Sequence, residues 1–489
     1  MSRREEQVEQ RIEKLRSLWE MEVDAYPARP PQPTPIPAVR QAGETEEPVC
    51  VAGRIAAVRK HGKTVFADLS GQGGEIQLFI RKNDLDESDW EMVGLLDLGD
   101  MVEARGPVFT TRMGELSVKV SSLRLLCKSL RPLPVVKTDE EGVRHDVVSD
   151  RDYLYRHRCV DLQVNPESLK RFRSRTAIVS AVRRYLDGNG FMEVETPILQ
   201  SLYGGAAAEP FITRYNYLDR EFYLRIATEL YLKRLVAGGI ERVYEIGKDF
   251  RNEGVDRTHS PEFTQLELYE AWADYEVMME RFEDMVVASA AECGLEGTVT
   301  YRGNELSIAR PFRRIGFCES LREASGEDLV SWNAADLRKL ADDLEIAGGT
   351  TDRAGLLDKL FDHYVADHIV APTFVVDYPK ELSPLAKAKP GSEGITERFE
   401  LFAAGLELGN SFSEQNDPLA QRKRLEEQAA EGGLRDGRVD EDFLFALEVG
   451  MPPTGGLGVG IDRLVMLLTD AGSIRDTILF PHLRGLNGE

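Results

Sequence analysis

No apolar run in the 489 residues approaches the ~20 needed to cross a bilayer, which argues against a membrane-spanning helix. The opening stretch, MSRREEQVEQRIEKLRSLWE, is charged throughout and lacks the apolar core of a secretory signal. Cysteine is scarce: Cys50, Cys127, Cys159, Cys293 and Cys318 are scattered without paired spacing. They read as reduced thiols, neither a disulfide frame nor a zinc site. Positive charge is outweighed, 61 Lys and Arg against 84 Asp and Glu, and a net charge of −23 argues against non-specific coating of nucleic acid. A local basic track stays compatible with that total, because a phosphate footprint depends on where charge sits. Two phosphate-binding signatures are also missing. There is no GxxxxGK(S/T), and the glycines of GGLGVGID do not fit GxGxxG followed by a βαβ pattern. The expectation is a soluble, acidic, cytoplasmic protein of two or more domains, since the chain is too long for one core.

What is present is most informative between Arg242 and Tyr275, RVYEIGKDFRNEGVDRTHSPEFTQLELYEAWADY. It reads as two antiparallel strands joined by a polar loop that Gly254 and His259-Ser260-Pro261 punctuate. On the first strand Tyr244, Ile246 and Phe250 share one parity, and Glu245, Arg251 and Glu253 the other. On the second, Leu266 and Leu268 oppose Phe263, Gln265, Glu267 and Tyr269. One face is apolar and can sit on a core. The opposite face collects an arginine, carboxylates, a ring and a phenol, which is not the interchangeable Lys, Glu, Thr and Ser of a merely wet face.

Around this pair the chain divides into segments. Residues 1–47 give a helix (Val8, Ile12, Leu15, Leu18 and Trp19 at helical spacing), then an extended connector, YPARPPQPTPIP. Residues 48–134 alternate β-formers with glycine turns and suggest a small five-stranded barrel. Residues 135–165 read as a linker, and 166–489 as a larger domain with a mainly helical insertion at about 295–371. In that domain Ser168–Gly190 is helical and FMEVETPIL a strand ending at Pro197. FYLRI passes at Thr228, a plausible N-cap, into a helix with Glu229 at its start, where the dipole favours a carboxylate. In RFELFAAGLELGNSFSEQNDP, Asn410, Phe412 and Glu414 share a parity, and a kink near Gly409 is needed for Glu407 to join them.

FRNEG, a loop, RTHSPEF and QLELY resemble motif 2 of the class II aminoacyl-tRNA synthetases, most closely the lysine enzymes. The helix, strand and Pro197 resemble motif 1, and MPPTGGLGVGIDRLVMLL resembles motif 3. The barrel strands and SLRPLP resemble the N-terminal anticodon-binding barrel of that family. The resemblance implies an α+β protein: an oligonucleotide-binding (OB-fold) β-barrel followed by an antiparallel class II sheet flanked by helices. It implies ATP-dependent activation of L-lysine and its transfer to tRNA(Lys), a homodimer built through motif 1, and no membrane partner. It further implies Arg251 and Arg463 as catalytic residues, bridging phosphate and carboxylate and covering the adenine. Glu253 and His259 would serve the adenine end and outer phosphates, Phe263 would stack the adenine, and Glu400 and Glu407 would hold Mg2+. Gly205 and Glu229 would take the amino acid's α-ammonium end, with Glu267, Tyr269, Asn410, Phe412 and Glu414 around its side chain. Phe66 and Gln77 would read the anticodon by stacking and by an amide.

The nearest rivals are the aspartate and asparagine enzymes, which share barrel and motifs. An aspartate pocket must present cations, whereas Glu414, Glu267 and Tyr269 suit an ammonium. The HIGH and KMSKS signatures of class I synthetases are absent. A protein-lysylating relative would lack the barrel, a lipid-modifying fusion would need membrane spans, and a catalytically silent tRNA-binding scaffold would not need Arg251, Glu400, Glu407 and Arg463 together. Ser260, Glu209, Arg214-Tyr215 and Gln415 depart from the usual lysine-enzyme wording.

Overall fold

The computed structural model describes residues 3–483 except 72, 135–136, 139–143, 146–149, 207, 393 and 431–438. Two compact units divide the chain, Met1–Ser149 and Asp150–Glu489.

In the first unit, Thr45–His61 pairs with Thr64–Gly71, and that strand pairs with Gly74–Arg81. Leu116–Lys119, Met101–Thr110 and Ser122–Cys127 follow across the sheet, and Thr45–His61 also pairs with Met101–Thr110, curling the sheet towards a barrel. There are six strands where the sequence suggested five, because Val120 and Ser121 interrupt the last run. Alternation fills the interior: Val65, Ala67 and Leu69 on one strand and Ile76, Leu78 and Ile80 on the next are buried. The helix Arg3–Glu20 buries Leu15 and Leu18, but Trp19 is 55% exposed, so the expected apolar stripe is wider than the face it covers. The proline-rich connector is not extended throughout. Ile36–Ala42 is a short helix, with Pro37 tolerated in its first turn, and Ile36 and Val39 enter the barrel core.

The second unit is built on an eight-stranded sheet. Its order is Arg313–Gly316, Thr373–Val376, Arg398–Ala403, Leu406–Ser413, Thr454–Gly460, Glu262–Ala271, Arg242–Phe250 and Met192–Glu193. The six central strands are antiparallel, whereas each outermost strand pairs in parallel with its neighbour, so the sheet is mixed where a purely antiparallel one was expected. The register Arg242↔Glu270 to Phe250↔Glu262 forms the central pair. Its apolar face, with Tyr244, Leu266 and Leu268, packs with Met278, Phe282 and Val286 of the helix Tyr275–Glu292. Asp274 caps that helix by accepting from the Glu276 and Val277 N–H groups.

Two expectations are corrected here. Residues 151–164, assigned to a linker, are two helices, Arg151–Arg156 and Arg158–Val164. Arg158 is buried, paired with Asp161 and donating to the Leu479 and Ile478 carbonyls; most of 135–149 lies outside the described residues. FMEVETPIL is not one strand but two short pieces, Met192–Glu193 and Leu199–Gln200. The insertion carries a hairpin, Thr298–Tyr301 with Asn304–Ser307, before three helices, Phe317–Ser325, Ala334–Asp343 and Arg353–Tyr364. It has its own core, in which Phe317 stacks on Phe361 at 4.2 Å.

Candidate active site

The sheet face opposite the helix Tyr275–Glu292 opens into a cleft of about 550 Å³. All the candidate residues of the second unit named from the sequence line it: Gly205, Glu229, Arg251, Glu253, His259, Phe263, Glu267, Tyr269, Glu400, Glu407, Asn410, Phe412, Glu414 and Arg463. Alternation accounts for most of this, because residues of one parity on neighbouring strands face the same side. Glu407 is the exception, and a bulge accommodates it. Leu401 pairs with Gly409 and Phe402 with Glu407, so Leu408 is the extra residue that turns Glu407 to the face shared with Asn410. Glycines hollow the floor. A methyl group at Gly456 would overlap Glu414 and Tyr269, and one at Gly458 would crowd Gln265.

At one end of the cleft the guanidinium of Arg251 lies 5.1 Å from the ring centroid of Phe263. Its buried Nε has no hydrogen-bond partner, and among the described residues it has no ion-pair partner. A cation so placed is available to an anion from outside. His259 joins two elements: its Nδ1 lies 2.8 Å from Asp256 Oδ2 and its Nε2 3.0 Å from an Arg463 nitrogen. Arginine can only donate, so Nε2 accepts and Nδ1 carries the proton given to Asp256. Although burial works against the charge, the Thr258 N–H and His259 hold the Asp256 carboxyl below its usual range. Arg463 also binds Glu407 at 2.8 Å. Glu253 is exposed at the cleft mouth.

Sequence reasoning missed the group that organises the neighbouring carboxylate. Arg398 donates to Asn410 Oδ1 at 3.0 Å and to Glu400 at 2.6 Å, and lies 4.5 Å over the Tyr378 ring, whose hydroxyl donates to Glu400 at 2.8 Å. Two-residue parity with Glu400 was the available signal. Burial lifts the Glu400 carboxyl to about 7; Arg398 opposes this, while Glu407 and Asp358 add to it. Among the described residues no three acidic, His or Cys groups form a ready-made metal cage.

At the other end, Glu229, Glu267 and Glu414 converge with Tyr269 and Phe412. From outside these strands Glu414 meets a protein cation, Lys233, one turn along the helix Glu229–Ala237. Its ammonium pairs with both Glu229 and Glu414 and lies 5.3 Å from the Phe412 ring. The Glu229-x-x-x-Lys233 spacing was a sequence signal for it. Thr228 holds the N-cap position but its hydroxyl makes no capping bond, which corrects that assignment. Burial first, then Asp249 and Glu229, push the Glu267 carboxyl up to about 8; it accepts from Tyr269 Oη and Gln265 Nε2, each at 3.3 Å. Beneath it, buried Arg225 pairs with Glu245 at 2.5 Å and Asp249 at 3.1 Å, a second buried cluster not anticipated. Gly247 leaves the space that this guanidinium fills.

In the first unit Phe66 stands on the outer face between buried Val65 and Ala67. It faces Phe79 at 5.2 Å, which in turn meets Phe109 at 5.3 Å, so the ring belongs to an aromatic strip outside the core. Gln77, opposite Asp68, accepts from the Ser117 hydroxyl at 3.0 Å. Phe79 shares Gln77's parity, a signal that sequence reading left unused.

Residues 150–484 match the family described as tRNA synthetases class II (D, K and N), and residues 49–126 match the OB-fold nucleic acid binding domain. The chain therefore belongs to the class II tRNA synthetases of the aspartate, lysine and asparagine group. Within it, the chain is 47% identical to the lysine–tRNA ligase of Moorella thermoacetica over 482 residues, 97% of each protein. It is 49% identical to the lysine–tRNA ligase of Clostridium perfringens over 444 residues (89% of this chain, 87% of the relative). It is 44% identical to that of Clostridium novyi over 489 residues (98% and 94%).

Proposed function

We propose that this protein is a lysine–tRNA ligase that attaches L-lysine to tRNA(Lys) at the expense of ATP. The observation that carries the reading is the charge layout of one cleft: at Arg251 a guanidinium with no ion-pair partner among the described residues, and a separate buried end lined by Glu229, Glu267 and Glu414. An amino acid with a carboxylate at one end and two ammonium groups matches that layout. The relatives named as lysine–tRNA ligases support it over almost their full length.

In the first step the lysine carboxylate oxygen bonds to the α-phosphorus of ATP, the bond to the β-phosphate oxygen breaks, and pyrophosphate leaves. Arg251 neutralises charge on both reacting groups, and Phe263 with Arg463 sandwiches the adenine. Glu253 and His259 orient the adenine end and the outer phosphates. In the second step the terminal adenosine hydroxyl of tRNA attacks the lysyl carbonyl, loses its proton and displaces AMP. Catalysis is positioning and charge compensation, with no covalent enzyme intermediate. Gly205 and Glu229 hold the α-ammonium end, and Glu267, Tyr269, Asn410, Phe412 and Glu414 enclose the side chain. Phe66 and Gln77 read the anticodon.

The donor set fits magnesium. Glu400 and Glu407 offer hard oxygens, and the upward push on Glu400 from its acidic neighbours is what a divalent cation would relieve. Mg2+ held there with ATP supplies charge neutralisation at the phosphates. Aspartate as substrate is disfavoured by Lys233, because the cation that would have to meet a side-chain carboxylate is already shared by two glutamates.

The protein acts as a cytoplasmic homodimer. Support comes from exposed apolar residues that follow the motif 1 helix in sequence, including Met192 (53% exposed), Ile198, Leu199 and Ile212. Light scattering that found a stable active monomer at nanomolar concentration would refute the dimer. The catalytic reading is tested by charging a tRNA(Lys) transcript with labelled lysine. Wild type charges it, Arg251→Ala does not, and equal charging by both proteins would overturn the roles assigned.

A further inference from the structure

The amino-acid end contains a cation that the proposed reaction does not use. The ammonium of Lys233 is buried and shared between Glu229 and Glu414. The other cations near Glu414 are engaged elsewhere: Lys387, beside the Ala386 bridge to Glu414, donates to Asn416, and Arg424 donates to the Pro384 and Ala386 carbonyls. The helix Glu229–Ala237 contributes Glu229 with Lys233 itself, the strand Glu262–Ala271 contributes Glu267 and Tyr269, and the Phe412 and Phe443 rings lie against the Lys233 ammonium. The strand Thr454–Gly460 presents Gly456, and its Thr454 carbonyl accepts from the Glu414 N–H.

Glu414 is 1% exposed, and a carboxyl so desolvated without a cation holds its proton at neutral pH. A neutral acid has no charge to offer an ammonium, so lysine would have to expel that proton in order to bind. We propose that Lys233 is a positioning residue for the lysine side chain, keeping Glu414 ionised and fixed in the empty pocket so that the substrate ammonium meets a ready carboxylate. This rests on the lysine–tRNA ligase reading and adds the means by which the pocket is kept charged. Sharing matters too: when the substrate takes up Glu414, Lys233 keeps Glu229, and neither buried charge is orphaned.

Burial lifts the Glu414 carboxyl well above its usual range; Lys233 is the influence that opposes the rise, and Glu229 and Glu267 add to it. Burial works against the charge of Lys233, and Glu229 and Glu414 outweigh it, lifting its pKa above the usual range. Those two directions pull oppositely on the pair, and direct contact with a charged ammonium favours the carboxylate.

Calorimetry of lysine binding in buffers of different ionisation enthalpy counts the protons released. Lys233→Met is expected to release about one proton more than wild type near pH 7 and to bind lysine at least about tenfold more weakly. The deficit should deepen by up to about tenfold per unit as pH falls. Lys233→Arg, which keeps the charge, should match the wild-type proton count. Weaker binding by Lys233→Met with an unchanged proton count and pH profile would mean only a structural role, and overturns the proposal. Should Lys233→Met fail to fold, the infrared difference between unliganded wild type and Glu414→Gln decides. Loss of an ionised carboxylate band supports the proposal, and loss of a protonated carboxyl band overturns it. Failure of wild type to activate lysine would instead overturn the functional reading.

Discussion

Glu414→Gln removes one charge from the lysine pocket while keeping its shape, and the structure sets how much that should cost. Breaking a desolvated ion pair by deleting one partner typically costs ~3–5 kcal/mol. The low end applies here, because Lys233 keeps Glu229 as a second partner and is not left as an orphaned cation. About 3 kcal/mol corresponds to roughly 100-fold in lysine affinity, at ~1.4 kcal/mol per factor of ten. The assay is lysine-dependent exchange of pyrophosphate into ATP, with KM measured for both substrates. The loss should fall on lysine, with KM for ATP changed by no more than about threefold, since Arg251, Phe263 and Arg463 are untouched. A loss below tenfold, or a parallel loss for ATP, would refute the placement of the substrate ammonium at Glu414.

Phe66→Ala should leave pyrophosphate exchange intact and weaken tRNA charging, as removal of one base stack costs ~1–3 kcal/mol; equal losses in the two assays would make Phe66 structural. Glu267→Gln should show a pH-dependent stability difference in the free enzyme. Its carboxyl moves from about 4.5 to about 8 on folding, so between those values the folded state keeps a proton that the unfolded chain has released. Wild-type stability therefore falls with rising pH across that window, by up to ~1.4 kcal/mol per unit, and levels off above it. The melting temperature of Glu267→Gln should gain on wild type from about pH 5 to 8, and a constant gap would contradict the shifted carboxyl.

The sheet pair Arg242–Phe250 and Glu262–Ala271 was legible because one face alternates apolar residues and the other carries chemistry, and two-residue periodicity survives folding unchanged. The cleft-facing parity of Asn410, Phe412 and Glu414 was legible for the same reason. Glu407 needed a bulge, whose neighbourhood Gly409 marked but whose extra residue, Leu408, only backbone pairing reveals. Lys233 escaped notice because a lysine on a short helix ordinarily points to water, and its burial depends on strands more than 30 residues away in sequence. Arg398 and Arg225 were hidden likewise, since a buried arginine is identified by carboxylates that tertiary structure brings to it. The helices over 151–164 read as a linker in sequence because their polar residues, Arg158 and Asp161, satisfy each other inside the fold. The parallel outer strands were missed because two- and four-residue segments are too short to show periodicity.

The central claim is that the buried carboxylate end of the cleft selects an ammonium-bearing side chain. The most direct measurement is pyrophosphate exchange into ATP by the wild-type protein, with each amino acid supplied in turn. Exchange that depends on lysine, with aspartate and asparagine at background, is the predicted result; exchange driven by aspartate or asparagine, or none with any amino acid, would contradict the account.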